Sequence, residues 1–192
     1  MRTIKLTEET RKDLLEKLLK RSPNCYGEYE GRVTEIVNTV RAEGDKALFD
    51  YTERFDRAKI TVENIRVTED EIKTAYEEVD PELLSVIRKA LVNIRSYHEK
   101  QLKQSWFESQ PSGIILGQKV QALATVGVYV PGGKAVYPSS VLMNIVPAKV
   151  AGVEKIIMCT PCSPEGKVCA STLVAAREAG VDEIYKAGGA QA

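Results

Sequence analysis

The chain has 192 residues, 43% of them apolar and 28% charged, with 27 basic side chains against 27 acidic ones. That length and apolar content support a sizeable core, in one large domain or two small ones. The zero balance argues against a general nucleic-acid or anionic-membrane surface, no apolar run approaches the ~18 residues of a membrane span, and four cysteines do not make a disulfide scaffold. The opening residues carry neither an apolar core nor a cleavage site of a secretory signal, so a reducing, cytoplasmic setting is expected.

Charge and glycine divide the chain. Residues 1–110 hold 20 Lys/Arg and 22 Asp/Glu but 3 glycines, while residues 111–192 hold 7, 5 and 10 respectively. The first stretch therefore reads as a helical segment with solvated faces. The second reads as an α/β half with glycine at its turns.

In the first part, Thr7 can cap a helix reaching about Arg21, with Leu14, Leu15, Leu18 and Leu19 on one face. A second helix begins near Glu28, carries Val33, Ile36, Val37 and Val40, and ends by Gly44. A third covers roughly Asp45 to Phe55. Thr68 and Glu71 form a capping box for a helix carrying Ile72, Ala75 and Tyr76. Asp80-Pro81 is an N-cap followed by proline at the first helical position. The long helix behind it places Leu83, Ile87, Ala90, Leu91, Ile94 and Tyr97 on one stripe.

The period changes in the second part. Ile114 to Ala124 reads as one or two extended segments, and Val126 to Val130 as a strand ending in Pro131-Gly132-Gly133. A helix from Ser139 or Ser140 to Ala151 stops at Gly152. Lys155 to Cys159 is the next strand. Ser163-Pro164 is expected to open a helix reaching Ala179 and closed by Gly180, and Glu183 to Ala187 to form a third strand. The β-α-β-α-β order with short connections predicts parallel strands and right-handed crossovers, one half of a doubly wound, Rossmann-like sheet. Gly188-Gly189-Ala190-Gln191-Ala192 looks like a turn into a helix that would cover the third strand. The chain is therefore expected to be the N-terminal piece of a longer protein.

Val126 to Lys134 carries the strongest local signal, because a glycine-rich turn at the carboxyl end of a parallel strand is where open α/β sheets bind ligands. It matches neither the dinucleotide G-x-G-x-x-G spacing nor a phosphate loop, since Gly133 stands where the loop needs lysine. A ligand turn and a plain tight turn both remain open, and Tyr129 could stack on a ligand ring or simply pack. Cys159, Cys162 and Cys169 could suggest a redox or zinc site, but no second pair and no nearby histidine accompany them. His98 reads as a boundary residue. Neither an acid–base constellation nor a catalytic nucleophile is apparent.

Several runs resemble histidinol dehydrogenases. They are Val126-Gly127-x-Tyr129-Val130-Pro131-Gly132-Gly133, Pro138-Ser139-Ser140-Val141-Leu142-Met143, Pro147-Ala148-Lys149-Val150-Ala151-Gly152 and Gly188-Gly189-Ala190-Gln191-Ala192. Upstream, Val40-Arg41-x-x-Gly44-Asp45-x-Ala47-Leu48 and Tyr51-Thr52-x-x-Phe55-Asp56 belong to the same likeness, while Ala122 departs from it where that family carries proline.

The resemblance implies an aldehyde-dehydrogenase-like fold and a zinc-dependent homodimer more than twice this length. Such an enzyme oxidises L-histidinol through the aldehyde to L-histidine with two NAD+. It further implies that Tyr129 and Gln191 contact NAD. The zinc ligands, the Glu-His acid–base pair and the histidinol-binding residues are implied to lie outside this chain, so no catalytic or metal residue is assigned here. The alternative is a non-catalytic nucleotide-binding or assembly module. With the covering helix missing, Gln191 is expected at an unsupported end, and NAD binding is expected to be weak or undetectable.

Overall fold

The computed structural model describes Lys5, Thr7, Glu8, residues 10–12 and residues 27–192 other than Lys134. At Thr7 the expected cap is present, with the Thr10 N–H donating to the Thr7 hydroxyl at 3.3 Å and the Arg11 N–H to its carbonyl at 2.9 Å. The continuation of that helix to Arg21 lies outside the described residues.

Helices α1 (Gly27–Glu43) and α2 (Asp45–Asp56) follow, broken at Gly44, whose φ of 62° suits glycine. Helix α3 (Glu69–Glu78) starts at the expected box: Thr68 accepts from the Glu71 N–H, and the Glu71 carboxylate from the Thr68 N–H. Helix α4 (Pro81–Glu99) is capped by Asp80, whose carboxylate accepts from the Glu82 N–H at 2.7 Å. Its inward stripe is Leu84, Ile87, Ala90, Leu91 and Ile94, while Leu83 and Tyr97 are exposed. A 3.6-residue period carries the stripe through Leu84 rather than its neighbour, correcting the expected face.

Strands β1 (Trp106–Ser109) and β2 (Ile115–Gln118) form an exposed antiparallel hairpin. The first was not anticipated. A Cβ at Gly117 would overlap the Phe107 ring and the Trp106 carbonyl, so the cross-strand pair itself demands glycine.

The parallel sheet follows, with β3 (Thr125–Tyr129), α5 (Pro138–Val150), β4 (Lys155–Thr160), α6 (Ala170–Ala179) and β5 (Glu183–Lys186) in the spatial order β3-β4-β5. Helix α5 starts at Pro138, a residue before the expected serines, because proline suits the first helical turn. Helix α6 starts at Ala170, not at Ser163-Pro164. Residues 163–167 instead close a turn, in which Ser163 accepts from the Gly166 N–H and donates its own N–H to Lys167, with Gly166 at φ 74°.

Helices α5 and α6 cover one sheet face, burying Val126, Val128, Ile156, Met158 and Ile184; α3 and α4 pack on those helices as a further layer. Apolar burial on this scale is the main stabilising term. On the other face Thr125 and Gly127 are exposed and Ile157, Cys159 and Tyr185 half-buried. The outer edge of β5 is closed by the segment before α3: the Val67 N–H donates to the Ile184 carbonyl and the Lys186 N–H to that of Ile65. No helix among the described residues is long and apolar enough to cross a membrane.

Candidate functional site

The site is built on Pro161, just beyond the central strand. A Cβ at Gly132 would come 2.9 Å from Pro161 Cγ, and one at Gly188 would come 2.6 Å from Pro161 Cβ. The turns after β3 and β5 thus close on the proline after β4, and only glycine allows either approach. Gly133 and Gly189 then take φ of 98° and 64°, turning both chains away from the strand ends. Between them opens a cleft of ≈ 840 Å³, lined among others by Phe55, Asp56, Tyr129, Gly133, Lys167 and Gly189. Its position, at the carboxyl ends of parallel strands, is the one that open α/β sheets use for ligands.

Tyr129 lines the cleft and Gln191 does not. The Tyr129 ring is 44% exposed, and its hydroxyl accepts the Gly189 N–H at 3.1 Å, which ties the first strand end to the last. Gln191 lies in a 3₁₀ turn (Gly189–Gln191) packed against α1 and α2, and is only 4% exposed. The expectation of an unsupported end is therefore corrected: helices from the first part of the chain enclose it. Neither Gln191 Oε1 nor Nε2 has a hydrogen-bond partner among the described residues. A buried amide with both atoms unpaired costs free energy.

Asp56, at the end of α2, was noted in the sequence only as part of a family likeness. Its Oδ2 is buried without a partner among the described residues, 3.1 Å from where a Gly188 Cβ would stand, and desolvation raises its pKa above the ordinary carboxylate value. Lys167 places a cation on the same cleft. The spacing of these residues in sequence could not reveal them, because they converge only when the helical segment packs onto the strand ends.

Among the described residues no group of three or more His, Cys, Asp or Glu side chains is placed to hold a metal ion. Cys159 lies on the open sheet face, Cys162 and Cys169 line the cleft, and all three are free. Burial pushes the Cys159 and Cys162 thiols up, the latter helped by the nearby Asp56 charge, which is opposite to what an activated thiol needs. His98 is half-buried at the far end of α4, where Nδ1 lies 2.6 Å from Gln101 Oε1.

Comparison with known proteins decides the family. The profile of histidinol dehydrogenase matches residues 19–192. The chain belongs to the histidinol dehydrogenase family. It is 56% identical over 161 residues to a histidinol dehydrogenase of Heliobacterium mobile, covering 84% of this chain and 38% of that protein. The corresponding enzyme of Bacillus subtilis (strain 168) is 51% identical over 175 residues, covering 91% and 40%. A crystal structure of histidinol dehydrogenase from Elizabethkingia anophelis superposes with a TM-score of 0.78 at 36% identity, covering 84% of this chain and 37% of that one. The chain thus spans about two-fifths of the length of the relatives it matches.

Proposed function

We propose that this chain is the cofactor-binding N-terminal part of a histidinol dehydrogenase. In this reading residues 111–192 form the dinucleotide half and residues 1–110 the helical segment behind it. The whole enzyme oxidises L-histidinol through L-histidinaldehyde to L-histidine, reducing two NAD+, as a cytoplasmic homodimer. NAD supplies the hydride acceptor. The residues of this chain bind and orient it: the exposed Tyr129 ring offers a stacking surface, and Gln191, in the 3₁₀ turn after β5, contributes its amide. The observation that carries this reading is the exposed Tyr129 lining a cleft at the carboxyl ends of the parallel strands.

Zinc does not fit the described residues, since they offer no ligand cluster. Metal, acid–base and histidinol-binding groups are assigned to the part of the relatives that this chain does not span, and the chain alone is expected to turn over no histidinol. The test is to join this chain to the remainder of the Heliobacterium mobile enzyme and assay both NAD binding and histidinol oxidation. The joined protein should gain activity. In it Tyr129→Ala should weaken NAD several-fold, the ~1 kcal/mol of a lost ring contact. Equal NAD affinity in the two would remove Tyr129 from the site.

A second reading, an assembly module without turnover, is favoured by one observation: Trp106, Phe107, Ile115 and Leu116 all lie exposed on one hairpin. It predicts that the joined protein stays inactive while the chain alone self-associates through that hairpin.

A further inference from the structure

Among the described residues, three buried side-chain atoms lack a hydrogen-bond partner: Asp56 Oδ2, Gln191 Oε1 and Gln191 Nε2. All three surround one short turn. Asp56 Oδ2 lies 3.1 Å from where a Gly188 Cβ would stand, and Gln191 Oε1 and Nε2 lie 2.6 and 3.4 Å from where a Gly189 Cβ would stand. Buried polar groups are ordinarily paired, so orphans gathered at one turn mark a conformation held at a cost.

Little holds the turn in place. Its 3₁₀ segment, Gly189–Gln191, is three residues long and too short to stabilise itself. It packs on α1 and α2, and the Gly189 N–H donates to the Tyr129 hydroxyl at 3.1 Å. A neutral hydrogen bond of this kind contributes less than an unpaired buried amide and carboxylate oxygen cost. The two glycines that open the turn can absorb a large backbone change: Gly188 is extended, and Gly189 takes a φ of 64°.

We propose that Gly188–Gln191 is an autoinhibitory latch on the cleft. In the shut form the Tyr129 hydroxyl is occupied by the Gly189 N–H, and the Gln191 amide is buried outside the cleft. Opening about Gly188 and Gly189 frees both groups. A ligand that needs them binds only the open fraction of molecules, so the shut latch lowers the apparent affinity by that fraction. That the ligand is a nucleotide rests on the reading of the cleft as a cofactor site.

The test is amide hydrogen exchange and an NAD titration, both followed by NMR on the ¹⁵N-labelled chain. Tyr129→Phe removes the hydroxyl and keeps the ring, whereas Gln191→Leu replaces the unpaired amide with an apolar side chain and stabilises the shut form. The Gly189 amide of wild type is expected to exchange at least about tenfold faster than those of Met158 and Val174, which report the intact core. Tyr129→Phe should speed it by about a further tenfold and Gln191→Leu should slow it, with the core amides unchanged. Tyr129→Phe should also bind NAD at least about threefold more tightly than wild type. Gly189 exchanging only with the core, or unmoved by both substitutions, would overturn the latch. Equal or weaker NAD affinity in folded Tyr129→Phe would overturn its inhibitory role. Absence of NAD binding to either protein, with Gly189 opening as expected, would overturn the cofactor reading and not the opening of the turn.

Discussion

Lys186 Nζ lies 2.6 Å from Glu71 Oε1, joining the last strand to the first turn of α3 across 115 residues of sequence. The lysine side chain is 6% exposed, so its ammonium depends on this partner. The same carboxylate accepts the Thr68 N–H through Oε2 at 2.8 Å and so completes the capping box. One side chain therefore both starts a helix and neutralises a buried charge. Burial alone would raise the Glu71 pKa, but the hydrogen bonds from Lys186 and Thr68 outweigh it and hold the carboxyl below its ordinary 4.5.

Glu71→Gln should destabilise the chain by about 2 kcal/mol, less than the ~3–5 of a fully buried pair because Glu71 is partly solvated. The pH dependence has a fixed sign. A depressed folded-state pKa gives stability that is present above pH 4.5 and lost as pH falls below it, through the folded value. Urea unfolding of wild type and Glu71→Gln from pH 7 down to pH 3 should show the gap between them closing in acid. A constant gap would detach the effect from ionisation.

A second clamp joins three helices. The Tyr76 hydroxyl donates to Glu178 Oε1 at 2.8 Å, and Arg88 holds both oxygens of that carboxylate at 2.8 and 2.9 Å. Desolvation, then the bond to Glu178, pushes the Tyr76 pKa up to about 12. Tyr76→Phe should cost about 1 kcal/mol. In an ultraviolet pH titration it should also remove a phenol that ionises near 12; loss of a tyrosine titrating near 10 instead would show that the bond does not form.

The thiols should react in an order set by burial. Cys169 is exposed, whereas Cys159 and Cys162 are half-buried with raised pKa values. At neutral pH a disulfide reagent followed by peptide mass mapping should label Cys169 first, with the other two slower by roughly an order of magnitude. Fast labelling of Cys162 would point to an activated thiol in the cleft. Purified protein should also carry well under one zinc per chain by elemental analysis.

The Asp56 carboxylate, whose Oδ2 is buried without a partner among the described residues, should weaken the fold at neutral pH. Its folded-state pKa is raised by desolvation above the ordinary 3.8, so its favourable contribution is complete below that value and lost as pH rises through the folded pKa. Asp56→Asn should therefore be the more stable protein at pH 7, by no more than about 1 kcal/mol given solvent screening, and should lose that advantage near pH 3.5. Thermal melts at the two pH values read the difference directly.

The caps and the strand order were legible because local chemistry writes them. Thr68 and Glu71 are three residues apart, Asp80 precedes Pro81, and glycine falls at every turn of the sheet half. The start of α6 was not legible. Ser163-Pro164 is a good helix opening, yet Gly166 bends the chain back and tertiary packing delays the helix to Ala170. Strand β1 was also missed, although Trp106-Phe107 and Ile115-Leu116 on either side of Pro111-Ser112-Gly113 make a hairpin pattern. Tyr129 was visible at a strand end. Asp56 and Lys167 were not visible as members of the cleft, since nothing local in α2 or in the 163–167 turn says that they meet the strand ends.

We propose that the strand ends around Tyr129, Gly133 and Gly188 to Gln191 bind NAD. The direct measurement is the chemical-shift response of assigned backbone amides to NAD in the wild-type chain. Weak binding is expected, saturating only in the millimolar range, with the largest shifts at Gly133, Gly188, Gly189 and Gln191 and at the Tyr129 ring. Unmoved amides at those positions in several millimolar NAD, or shifts confined to the far side of the sheet, would contradict the account.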